Sequence, residues 1–243
     1  MLALFRKEIS SFFSSIIGYI VIIIFLLITS LFLWVFPIES NILDFGYAQL
    51  NGLFLIAPYV FLFLVPAISM RSFADENKSG TIELLLTKPI SDLQIVIAKF
   101  GAAFALLLIA LIPTIVYYIS VYKLGYPEGN IDSGGVFGSY IGLLLLGGAF
   151  ISIGLFSSSI TSNQIVSFII SVVLSGFIFI GFEFIYNLSL FGDASLMIKT
   201  LGIYEHYSSI SRGVLDTRNL IYFISLISLF LFLTRFSLQS RKW

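Results

Sequence analysis

Runs without charge set the frame of this chain. Residues 9–38, 45–70, 100–122, 133–182 and 219–234 contain no Lys, Arg, Asp or Glu, and within them the apolar positions are continuous rather than alternating. A helix needs about 20 residues to cross the hydrocarbon core of a bilayer, with about 17 the usual minimum. Such runs predict helical spans and argue against a β-barrel, whose strands alternate lipid-facing and lumen-facing residues. The 133–182 run is long enough for two crossings, and the polar stretches Ser157-Ser158-Ser159 and Thr161-Ser162-Asn163-Gln164 divide it in the middle. The pattern therefore predicts six spans, near Gly18–Phe36, Leu53–Ser69, Phe100–Ser120, Tyr140–Phe156, Ile165–Phe184 and Asn219–Arg235. The last is slightly short, and Arg218 and Arg235 can snorkel to opposite interfaces. The first span follows Arg6 and Lys7 but is too long for a signal peptide and lacks a small-x-small exit, so it is expected to be retained.

Composition agrees with this pattern. Of 243 residues 58% are hydrophobic and 11% charged, with a mean hydropathy of +1.05, whereas a soluble domain is about 45–50% apolar and about 25% charged. A soluble globular domain is excluded, and the abundance of Phe (26) and Tyr (12) excludes disorder. Cys is absent, which removes disulfides, thiolate metal sites and Cys nucleophiles. The chain has a single histidine, His206, with no second imidazole to complete a zinc site, so no metal is expected. Thirteen Lys+Arg balance thirteen Asp+Glu, which gives no basic surface for nucleic acid.

The distribution of the basic residues orients the chain. With six spans both termini share a side. That side holds Arg6, Lys7, Arg71, Lys78, Lys88, Lys99, Arg235, Arg241 and Lys242, nine of the thirteen, against Lys123, Lys199, Arg212 and Arg218 opposite. The positive-inside rule places both termini in the cytoplasm.

Between the spans the chain is informative. Residues 1–16 place Leu2, Phe5, Ile9, Phe12, Phe13 and Ile16 on one helical face, with Lys7, Ser10, Ser11 and Ser14 opposite, the pattern of an amphipathic helix lying in the membrane interface. Such a helix serves as an anchor or as a docking surface for a partner, and the pattern alone fits both. In the cytoplasmic segment 71–98, the breakers Ser79-Gly80 and Lys88-Pro89 leave room for two helical turns carrying Ile82, Leu84, Leu85 and Leu86. That much apolar surface on a short helix is covered either by a partner's groove or by the chain's own membrane domain. Ser91-Asp92-Leu93-Gln94 then reads as a capping box that opens the next helix. The glycines Gly142, Gly147, Gly148, Gly176 and Gly181 suit close helix packing. Glu183 lies near the outer end of the fifth span, where an acid is either an interfacial carboxylate or a polar outer-leaflet site.

The run Ser79-Gly80-Thr81-Ile82-Glu83-Leu84-Leu85-Leu86-Thr87-Lys88-Pro89-Ile90-Ser91 resembles the cytoplasmic coupling segment of ABC-2-type transporter permeases. The six-span layout and the amphipathic N-terminus match as well. The opening Met1–Ile9 and the stretch Tyr207–Asp216 look most like the gliding-motility permease subunits of the GldF type in Bacteroidota. The resemblance implies a single all-α polytopic membrane domain over 1–243 in the bacterial inner membrane. It would comprise an interfacial helix (1–16), a coupling segment (71–98) and an outer segment (187–217) of short re-entrant helices.

It further implies a permease that dimerises with itself or a homologue and rests on two copies of a separate ABC ATPase. The residues from Gly80 through Thr81, Ile82, Glu83, Leu84, Leu85, Leu86, Thr87 and Lys88 to Pro89 would dock that ATPase. Phe5, Arg6, Lys7, Ile9, Phe12 and Phe13 would form the interfacial helix beside them. A GldG-type auxiliary protein with an extracytoplasmic domain is the expected further partner. ATP and Mg would be held by the ATPase, and none by this chain, which has no G-x-x-x-x-G-K-[ST] phosphate loop. Two other classes stand beside this one: a membrane scaffold that anchors a cytoplasmic protein without transport, and an intramembrane enzyme, which would need more buried acids or histidines than Glu183 alone.

The charge bias makes a direct prediction in a chain without native Cys. Cysteine introduced at Lys78 should be shielded from an impermeant thiol reagent in intact cells, while cysteine at Glu128 or Arg212 should be labelled. Labelling at position 78 would invert the topology.

Overall fold

The structure, a computed structural model, describes residues 1–44, 46–87, 89–188 and 195–240, and no strand occurs among them. In chain order the helices are α1 (Leu2–Phe13), α2 (Ile16–Trp34), α3 (Asn51–Ser69), α4 (Arg71–Ser79), α5 (Thr81–Leu86) and α6 (Asp92–Leu111). A 3-10 turn, Ile112–Thr114, leads to α7 (Ile115–Leu124), followed by α8 (Ser133–Ile160) and α9 (Gln164–Gly176). A π-helical turn at Phe177–Gly181 joins α9 to α10 (Phe182–Asn187), and the chain ends with α11 (Ser195–Lys199), α12 (Ile203–Ile210) and α13 (Thr217–Gln239).

Five continuous helical stretches are long and apolar enough to cross a membrane: Asn51–Ser79, Asp92–Leu124, Ser133–Ile160, Gln164–Asn187 and Thr217–Gln239. The α1 and α2 helices, bent by 68° between them, make a sixth when taken together. The helices overrun the charge-free runs because charged residues at their ends remain helical. The third span, for instance, begins at Asp92 rather than Phe100, since the Ser91–Gln94 capping box forms in full and satisfies the first free backbone donors. A second difference concerns Ser157-Ser158-Ser159. These serines do not break the chain: α8 runs through them to Ile160, and all three are buried. Each donates its hydroxyl to a backbone carbonyl, Ser157 to Ser167, Ser158 to Met70 and Ser159 to Phe156, so the helix loses none of its own bonds. The turn lies beyond them, where Asn163 caps α9 through the Ile165 N–H.

The core is organised around α8, which packs against α3, α6, α9, α12 and α13. Small residues set how closely these helices approach. A side chain at Gly154 would collide with the Ser69 hydroxyl of α3, and one at Gly147 with Leu107 of α6. Gly176 faces open space and takes no part in this packing. Ser167, Ser171 and Ser175, spaced one turn apart on α9, are fully buried, while Ile165, Ile169, Val173 and Phe177 of α9 and the π turn stay exposed. The outward apolar faces of α2, α9 and α13 are what a lipid solvent requires.

In the 187–217 segment, α11 and α12 are short helices, and Phe191 lies outside the described residues. His206 sits between the Thr200 carbonyl (2.9 Å) and the Asn219 side chain (2.8 Å) and stacks on Tyr222, joining α12 to α13. Tyr207 reaches further. Pro58 has no N–H, so the carbonyl of Phe54 four residues before it lacks its helical partner. The hydroxyl of the buried Tyr207 donates to that carbonyl at 2.6 Å, which repairs the ladder from another element, and burial pushes this hydroxyl well above its ordinary pKa.

Replacing Tyr207 by Phe should therefore cost about 1–3 kcal/mol, the penalty of a buried carbonyl left unsatisfied. It should lower the thermal midpoint of the detergent-solubilised protein, and an unchanged midpoint would show that the carbonyl finds another donor.

Candidate functional site

On the side of the two termini, three elements far apart in sequence, α1, α4 and α6, meet at one buried cation. Lys99 projects from the first turns of α6 with its side chain only 1% exposed. Its ammonium meets Glu8 of α1 at 2.9 Å and Glu76 of α4 at 3.1 Å, the latter without hydrogen-bond alignment. It also donates to the Ser72 carbonyl and sits 4.9 Å from the centre of the Phe73 ring. Lys7, on the exposed side of the cluster, pairs with Glu76 at 3.3 Å. A single ammonium thus gathers oxygen from α1 and α4, the arrangement a buried charge requires.

The α4 helix, nine residues long, is the meeting point. Too short to be stable alone, it is held from outside. The backbone N–H groups of Phe73 and Ala74, free donors in its first turn, both donate to the Ser158 hydroxyl of α8, at 2.9 and 3.0 Å. A residue of another helix thereby performs the role of an N-cap. At the far end of α4, Asn77 donates to the Ser159 and Thr161 carbonyls, and Gln164 of α9 donates to the Asp75 carboxylate.

From α4 the chain passes through Gly80 into α5. Gly80 has φ +70°, a left-handed conformation that costs other residues strain, and a side chain there would meet nothing. Within the six-residue α5, Ile82 and Leu85 are each 7% exposed and belong to the chain's own core, while Thr81 and Glu83 face outward with Thr87 and Pro89 after the helix. The side chains of Leu84 and Leu86, and Lys88 altogether, lie outside the described residues.

The N-terminal helix turns Leu4 and Glu8 inward beside part of its apolar face. Leu4 is its buried residue, Glu8 points to Lys99, and Phe5 packs beside Gly101, whereas Leu2, Arg6 and Lys7 are exposed. Ile9, Phe12 and Phe13 are half-buried. A carboxylate has taken a position on the inward face because Lys99 is there to meet it.

Glu183 stands apart, half-buried in the first turn of α10 and more than eighty residues from the α4 cluster in sequence. It contributes to a polar group where Lys199 binds Glu205 at 2.9 Å and lies over the Tyr186 ring. The hydrogen bond from Lys199 to Glu205 raises the lysine above its ordinary pKa, and the charges of Glu205, Tyr186 and Glu183 add to that. No group of three metal-ligating side chains occurs among the described residues.

In the sequence Lys99 counts only among the basic residues that orient the chain, and nothing there joins it to Glu8 or Glu76. A lysine one residue before a long apolar run is a signal, since it must either snorkel or find acids, but which acids is not written locally. Replacing Lys99 by Met should strand Glu8 and Glu76 against each other and cost about 3–5 kcal/mol, the usual penalty for breaking a buried pair. The α1 segment should become accessible to protease in the solubilised protein. Unaltered stability and protection would show that this cluster does not hold α1.

Residues 2–238 match the family described as ABC-2 family transporter protein. A sequence search among curated proteins finds no match. The family match spans every helix just described, from the α1 helix that supplies Glu8 to nearly the end of α13. An all-helical chain with five to six membrane-span candidates, matched over almost its full length, belongs to the ABC-2 transporter family, the membrane component of transporters whose ATPase is carried on separate subunits.

Proposed function

We propose that this permease subunit receives the motion of a separate ABC ATPase through α5 and passes it to its spans through α4, in a plasma-membrane assembly serving gliding motility. The observation that carries the reading is the attachment of α4. This helix continues directly into α5 and is bonded to α1 and α6 through the Lys99 cluster, and to α8 and α9 through Ser158, Asn77 and Asp75. A push on α5 therefore reaches four membrane-linked elements without passing through a flexible loop. Among the described residues of this segment, Thr81, Glu83, Thr87 and Pro89 are exposed.

In this reading two such permeases, identical or homologous, stand on two ATPase copies that hold ATP and Mg. Both termini face the cytoplasm, α1 lies along the inner surface, and the short helices α11 and α12 enter the outer leaflet. A GldG-type protein with an extracytoplasmic domain completes the assembly. Glu183 then lies at the outer interface as a carboxylate whose charge acts on Lys199.

Co-purification of the ATPase with single-substitution permeases tests the docking role. Since Ile82 and Leu85 are already used inside the chain, Leu85→Asp should damage folding itself, whereas Leu84→Asp or Leu86→Asp should release the ATPase from a permease that still inserts and dimerises. An interface anchor commonly costs 2 kcal/mol or more when truncated, about a thirtyfold loss in affinity. Glu83→Ala should act weakly, as exposed charges do. Retention of a fully stimulated ATPase by both the Leu84 and Leu86 variants would remove α5 from the interface. Retention without any stimulation of hydrolysis, in the unaltered protein, would favour a scaffold over a transporter.

A further inference from the structure

Beside the Lys99 cluster lies a cavity of about 170 Å³ between α1, the junction of α3 with α4, and α6. Its charged lining is Lys7, Glu8, Arg71, Asp75, Glu76 and Lys99. Five of these are engaged: the two lysines with Glu8 and Glu76, and Asp75 with the Gln164 amide. Arg71 is the exception. It forms no ion pair among the described residues, its one hydrogen bond there is a long one to the Ser15 hydroxyl at 3.4 Å, and its Nε is fully buried with no partner. A guanidinium is never neutral, and the Arg71 side chain lines the cavity with a single long hydrogen bond among the described residues, so it calls for an acceptor there.

The level of the cavity says what kind. Charge stops at Glu8 on the N-terminal segment, begins again at Arg71 after α3, and stops at Lys99 on α6. These three boundaries meet around this one space. Its other wall is apolar, made by Gly18, Ala67, Ala102 and Ala103 together with Phe12, Ile68 and Leu106. A cavity polar at one end and apolar at the other, placed where three helical elements pass from charged to charge-free sequence, lies at the depth of the lipid headgroups. It is much larger than one water, about 30 Å³ in the liquid, and too small for a whole lipid, so only a headgroup enters.

We infer that Arg71 and the serines around it, Ser11, Ser15 and Ser72, hold the phosphate of an anionic phospholipid from the leaflet on the side of the termini. The guanidinium fork suits a phosphate, and Arg71 is the one cation of this lining that no carboxylate pairs with among the described residues. The lipid would fill the gap between α1 and the spans and supply the acceptor that Arg71 lacks. This site involves neither α5 nor the ATPase, so it stands or falls separately from the docking role.

The test uses the purified full-length chain in a non-ionic detergent, with phosphatidylglycerol in mixed micelles or inorganic phosphate at equal concentration as probes. Phospholipid retained after gel filtration and the shift in thermal midpoint are read. The unaltered protein should retain phosphatidylglycerol and gain stability from it, and Arg71→Gln should retain at least fivefold less. Ser11→Asp, which adds a negative charge at an exposed position on the cavity wall, should lose the lipid without burying a new group. Lys78→Gln, which removes an exposed cation of the same helix outside the cavity, should behave as the unaltered protein. Equal retention by the Arg71 and Ser11 variants, or an equal loss in the Lys78 variant, would overturn the site. Stabilisation by inorganic phosphate as strong as by the lipid would overturn the lipid as its occupant.

Discussion

An ammonium group withdrawn from water must be surrounded by oxygen, and in this protein the oxygens around Lys99 come from residues 8, 72 and 76. The effective cost of burying one ion is several kcal/mol after relaxation, and it is offset only when opposite charge and hydrogen-bond acceptors sit close by. That requirement dictates geometry. The α1 helix must lie across the base of α6 so that Glu8 reaches Lys99, and α4, continuing the stretch of α3, must carry Glu76 to the same point. The 68° bend between α1 and α2 is the form the chain takes when its N-terminal helix is held in this way rather than continuing the span.

The α4 helix shows how a short element is made stable by its surroundings. Its first-turn donors find the Ser158 hydroxyl of α8, its last turn finds the carbonyls of Ser159 and Thr161, and its acids find Lys99, Lys7 and Gln164. Beyond its own backbone ladder, the bonds that fix its position come from other segments. Such a helix moves with its neighbours or not at all, because breaking any one attachment exposes a buried donor or charge. The Tyr207–Phe54 bond works on the same logic at the opposite end of the molecule, where a proline leaves a carbonyl vacant and a distant hydroxyl fills it. In both places α8 and the helices packed on it provide the rigid frame, brought close by Gly147 and Gly154.

Much of the layout is legible in the residue pattern alone. Charge-free runs marked all six apolar stretches, the Ser91–Gln94 box marked the start of α6, and Gly80 marked the break before α5. The misreading of Ser157–Ser159 is instructive. Three hydroxyls in an apolar run read as a break when their partners are assumed to be water, yet each side chain can bond a carbonyl in its own helix or a neighbour and remain helical. The contact of Glu8 with Lys99 is not legible in the same way, since a pattern of apolar positions does not say where a carboxylate finds its counter-charge.

Lipid solvation and chain length act on each segment alone, which is why the sequence by itself determined that the chain is helical, that it spans a membrane, and roughly where each span lies. A continuous apolar run has no other stable form in a bilayer, where every backbone group must be bonded within its own segment. Only the tertiary structure decided which faces meet. The pairing of Lys99 with Glu8 and Glu76, the capping of α4 by Ser158, and the cavity that leaves Arg71 without an acid each join residues separated by tens of positions. Such partners are selected by the relative placement of whole helices, and no local pattern of residues encodes that placement.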